Sequence, residues 1–170
     1  MDRRHILSFS VITALGLTLL PGSALAQKSL KEQVTGAWTL VSIETEMPDG
    51  KKQMGFGPNP KGILIFDATG RYAQAQMRAG RAKFKSADRT AVTAEEAKAA
   101  MNDSLAQFGS WSVDESTKTI NLRIESSLIP NADGTEGKRI NVTVTGDELK
   151  FSNPGPAGGG RNDSVYRRAK

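Results

Sequence analysis

The 170-residue chain has no cysteine, and its single histidine is His5. Without cysteine no disulfide holds the fold together, and no thiolate is available for metal binding or nucleophilic attack. No lipid-bearing cysteine follows the leader described below. His5 lies inside that leader, so the mature chain is expected to have no imidazole either. Ser-His-Asp and Cys-His catalysis, Cys/His zinc sites and His-ligated haem are therefore excluded. Any enzyme made from this chain would work with carboxylates, Lys, Arg, Tyr or Ser. No metal and no cofactor is expected. Charge of one sign is also scarce: 23 basic residues face 18 acidic ones, a net +5. That balance carries no nucleic-acid signature. The long apolar run from Ile6 to Leu20 falls short of the roughly 20 residues of a membrane span.

What is there begins with that run. Arg3 and Arg4 precede it, Pro21-Gly22 follows, and Ala24-Leu25-Ala26 closes it as a small-x-small site. The pattern predicts an export signal over 1–26, cleaved after Ala26. Arg3-Arg4 before Ile6-Leu7 fits a twin-arginine signal as well as a general secretory one. The mature chain, 27–170, is expected in the periplasm or outside the cell, with no stable membrane insertion. It has 144 residues and a net charge of +4, enough for one domain that buries roughly 70% of its unfolded surface.

Strand patterns dominate this domain. Residues 37–47 alternate, with Thr39, Val41 and Ile43 on one face and Trp38, Leu40 and Ser42 on the other. "ILIF", 63–66, and "RYAQAQMR", 71–78, flank the tight turn "DATG" and predict a hairpin. Further strands are expected at 109–114, 119–129, 139–145, 149–152 and 163–168, mostly joined by short turns. In 119–129 Ile120, Leu122, Ile124 and Leu128 share a face. In 139–145 Ile140, Val142 and Val144 alternate against Asn141, Thr143 and Thr145. One helix interrupts the strands. Thr93 and Glu96 have capping-box spacing, and Ala97, Met101, Leu105 and Phe108 form a stripe from Ala94 to about Gln107. The fold class is all-β: an eight-stranded up-and-down antiparallel barrel with one inserted helix near 94–107. Closure removes the unpaired edges that an open sheet exposes, and eight strands enclose side chains or one small ligand.

Gly36-Ala37-Trp38 and the closing Arg167-Arg168 fit this closure. A guanidinium over an indole face is worth about 0.5–2 kcal/mol, and here it would join the first strand to the last. Gly36 would let the entering chain pass close beneath the ring. These residues, with "FGPNPKGILIFDATGRYAQAQMRAGR", "FGSWSVD", "SSLIPNADGT" and "VYRR", resemble a bacterial lipocalin-like domain family of calycin type, over nearly all of 34–168. Ala132 departs from the family pattern, which has an aromatic there. The resemblance implies a lumen for a small hydrophobic or amphipathic ligand.

The expected ligand-binding residues are Phe56 on the Phe-Gly-Pro loop, Tyr72, Met77 and Arg78 on the third strand, and Met101 and Leu105 on the helix. The helix is expected to close one end of the barrel. On the third strand two readings stand. With Tyr72, Gln74, Gln76 and Arg78 inside, Arg78 would clamp an anionic ligand. With Ala73, Ala75 and Met77 inside, the lumen is apolar and roomier, and this second reading is the expectation. "RAGRAKFK", 78–85, reads as a solvated charged loop. "GGGR", 158–161, is a weak anion-nest pattern. Glu44 and Glu46 share a face, but their place before a turn points to solvent rather than catalysis. Asn102, Asn141 and Asn162 begin N-x-Ser/Thr patterns that read as coincidence. Two further functions remain open at this level: a barrel isomerase or cyclase acting on an apolar metabolite, and a ligand-free envelope protein with a filled barrel.

Overall fold

The computed structural model describes residues 28–155 and 160–170. The leader and part of the "GGGR" segment lie outside the described residues. The chain forms a short helix α1 (Leu30–Val34) and then strands β1 (Gly36–Glu46), β2 (Lys52–Met54), β3 (Lys61–Phe66) and β4 (Arg71–Met77). Helix α2 (Ala94–Asn102) precedes β5 (Ser104–Asp114), β6 (Thr119–Ser127), β7 (Glu136–Thr145), β8 (Glu148–Asn153) and β9 (Arg161–Arg168). All pairings are antiparallel, and β1 also pairs with β9 from Trp38↔Arg168 to Glu46↔Arg161. Eight strands thus close into a ring. The three-residue β2 is an addition, attached only to the far end of β1.

The register fixes two ends. Gly36, Phe66, Arg71, Asp114 and Arg168 lie at one end, and Glu46, Lys61, Met77, Ser104 and Arg161 at the other. Helix α1 closes the first end, with Leu30 and Val34 buried. Its start was legible: Ser29 and Glu32 form a reciprocal capping box. The Glu115 carboxylate accepts from the Leu30 and Lys31 backbone N–H groups at 2.9 and 3.0 Å. Those bonds hold its pKa below the usual range.

The inserted helix is shorter than expected. It stops at Asn102, and Ser104 onward pairs with β4 from Met77↔Ser104. Leu105 and Phe108 are therefore strand residues. Helix α2 has no buried residue, and Met101 is exposed. It does not plug the barrel by its stripe; the closing helix is α1, at the opposite end.

Two register shifts overturn simple alternation. In β1 the shift between Leu40 and Ser42 leaves Val41 outside and brings Ile43 to the buried side with Trp38 and Leu40. In β7 the shift between Ile140 and Thr143 coincides with a positive φ of 54° at Asn141. Asn tolerates that conformation better than most side chains, and the extra residue makes a bulge. Arg139 and Val142 are consequently both buried, while Ile140 is only half-buried. β6 ends at Ser127, so Leu128 falls beyond it and is exposed. The apolar β3 splits between faces, with Leu64 and Phe66 inside and Ile63 and Ile65 exposed on the outer wall.

Candidate functional site: the barrel interior

The floor is built around Trp38, which has no exposure. Its Nε1 donates to the Val34 carbonyl at 2.7 Å, which ties the indole to α1. The Arg168 guanidinium lies 4.1 Å from the indole centroid and donates to the Gln33 and Thr35 carbonyls at 2.8 and 3.2 Å. One side chain thus stacks on the ring, caps the end of α1 and joins β9 to β1. Gly36 sits at φ 127°, and a Cβ there would come within 3.0 Å of Arg168 Nη1. Arg167 points outward and is exposed. Phe66 and Trp111 pack tilted at 4.7 Å, and Trp111 Nε1 donates to the Asp67 carbonyl at 2.9 Å.

The interior row of β4 is the polar one, contrary to expectation. Tyr72, Gln74 and Gln76 are buried, while Ala73 is exposed and Ala75 and Met77 are half-buried. The pairing explains the choice. Tyr72 stands opposite Phe66, and Gln74 opposite Leu64, so the row shares a side with the apolar core of β3. Gln76 Nε2 donates to the Tyr166 hydroxyl at 2.6 Å, and Gln107 Nε2 donates to the Tyr72 hydroxyl at 3.2 Å. The first bond crosses two intervening strands beside Gly62, where a Cβ would come within 2.7 Å of the Ala75 carbonyl and 3.1 Å of Leu40. Gln74 Oε1 is buried without a partner.

Arg139 completes the interior, and the sequence alternation had placed it outside. It is 7% exposed. Its guanidinium lies 5.8 Å from the Phe151 ring, which itself stacks on Tyr166 at 5.5 Å. Its one hydrogen bond among the described residues goes to the carbonyl of its neighbour Lys138, at 3.0 Å. No described carboxylate pairs with it, whereas nine other ion pairs form on the surface. Burial pushes its pKa down, and the Tyr166 and Tyr72 phenols push it back up. Burial also raises both phenols, Tyr166 to about 12. Both are therefore held protonated at neutral pH, as donors rather than bases.

The other expected site residues are divided. Leu105 stands opposite Gln76 and is half-buried at the mouth. Phe56, at φ 57°, packs half-buried against the core. Arg78 is exposed and does not reach the lumen. Its Nε donates to Asp103 at 2.6 Å, and a Cβ on Gly57 would come within 2.6 Å of its Nη1. It fastens the Phe56-Gly57 loop to the start of β5. Met77 lies on the rim, where Arg81 donates to its sulfur at 3.0 Å. Met101 is exposed on α2. Glu44 pairs with Lys52 and Glu46 with Arg161.

A cleft of about 710 Å³ separates the 81–87 loop from α2, lined by Phe84, Ala99 and Ala100 with charges of both signs. Among the described residues no group of three or more His, Cys, Asp or Glu side chains is placed to hold a metal. Among them no helix is long and apolar enough to cross a membrane.

No curated protein matches the chain. Among solved structures, a redesigned β-barrel aligns with 84% of this chain and 100% of its own, at 11% identity and a TM-score of 0.42. The sequence model of the lipocalin-like domain matches residues 35–164. With a closed eight-stranded ring and a match over most of its length, the chain belongs to the lipocalin-like domain family.

Proposed function

We propose that this barrel carries a small, partly apolar molecule in its interior, above the Trp38 floor, in the compartment to which the 1–26 leader would deliver it. The family supports a ligand-binding barrel as the kind of protein. The observation that carries the reading is the unmatched polar row inside: Gln74 Oε1 is buried without a partner, beside two phenols that already accept from glutamines. A buried acceptor left unpaired costs about 1–3 kcal/mol, a cost that a purely structural core avoids. Leu40, Leu64, Leu122 and Phe151 supply the apolar walls.

The test is thermal denaturation of the mature chain, 27–170, against aliphatic and aromatic amphiphiles. A ligand at a hundredfold its dissociation constant should stabilise the fold by about 2.7 kcal/mol. No shift across such a panel overturns the reading.

A further inference from the structure

We infer that Arg139 is the seat for a ligand carboxylate, so that the cargo is a singly charged anionic amphiphile whose apolar part lies against Leu40, Leu64 and Phe151. This rests on the reading that the lumen takes a small molecule. An arginine residue only 7% exposed, with no carboxylate beside it, is unfavourable unless an anion accompanies it. The chain supplies none: among the described residues its partners are one backbone carbonyl and the face of Phe151. Arg168 shows what a satisfied arginine looks like here, with two carbonyls and an indole at 4.1 Å.

The same interior holds an unpaired acceptor, Gln74 Oε1, and two phenols. The hydroxyls of Tyr72 and Tyr166 each accept from a glutamine amide, which leaves each O–H free to donate. The Phe151 ring connects Arg139 to one of these phenols, 5.8 Å from the guanidinium carbon and 5.5 Å from the Tyr166 ring. The interior thus offers the planar Arg139 fork, with one N–H already given to the Lys138 carbonyl, and two phenolic donors to whatever enters. A carboxylate matches the fork with two parallel acceptors. One cation calls for one negative charge, which favours a carboxylate over a phosphate dianion. Gly137 faces the same side and carries no side chain; a Cβ there would lie 3.6 Å from Arg139 Nη1. The backbone therefore leaves room beside the fork.

Calorimetric titration of the mature chain with decanoate, decan-1-ol and decyl phosphate tests this. Decanoate should bind about 30-fold or more tightly than decanol, and more tightly than decyl phosphate. Arg139→Met should abolish that preference while decanol binding persists. Tyr166→Phe removes one donor without touching the charge, and should weaken decanoate by about tenfold. Equal binding of decanoate and decanol, a preference retained in Arg139→Met, or tighter binding of the phosphate overturns the carboxylate seat and leaves the carrier reading standing. Binding of none of the three overturns both.

Discussion

Two arginines stack on aromatic rings in this barrel, Arg139 buried and Arg168 half-buried, and they are treated in opposite ways. Arg168, at the floor, spends its guanidinium on the Trp38 indole and two carbonyls at the end of α1. Arg139, inside the barrel, has a more distant ring and one carbonyl from its own neighbour. The first arrangement is closed: ring, helix end and last strand all depend on it. The second is open, with donors that the fold itself does not answer.

The largest effects are expected at the floor. Trp38→Ala removes the largest buried side chain and the anchor of α1, and should cost about 3–5 kcal/mol in urea unfolding. Arg168→Met removes the stacked cation and exposes carbonyls it now covers; about 2 kcal/mol should be lost. A loss near zero for either would mean that the floor does not hold the ring shut. The lumen is sharpened by pH. Tyr166 has its pKa raised from 10.0 to about 12 by burial. Its contribution is therefore present below pH 10, where neither state ionises. It is lost between pH 10 and 12, because only the unfolded phenol releases its proton there. Stability should fall by about 1 kcal/mol per pH unit over that window, and Tyr166→Phe should flatten the fall.

The floor was legible in the sequence because its signals are local. Gly36-x-Trp38 and the terminal arginines mark the two strands that must meet, and short turns between alternating runs imply the ring. The lumen was not, because two single-residue bulges reset the alternation. Nothing in "RINVTVT" announces that Asn141 takes a positive φ; Asn is merely permissive there. Counting by twos from Val142 places Arg139 outside, and the bulge turns it in. The β4 row failed for a different reason. Space for a ligand favoured alanines inside, but the pairing with Leu64 and Phe66 decided for Tyr72 and Gln74. The helix was overextended because Met101, Leu105 and Phe108 fit a helical stripe until β4 claims Ser104 onward as a partner. In α1 the Ser29–Glu32 capping box is a local signal that the sequence carries in full.

Arg139 is kept at a cost to the stability of the fold alone. Chemical unfolding of wild type and Arg139→Met side by side, without ligand at neutral pH, measures this directly. Replacing an unpaired buried charge with an apolar side chain of similar length should raise stability, by about 1–4 kcal/mol. A marked loss of stability would show that Arg139 serves the barrel as Arg168 does, and would contradict the account.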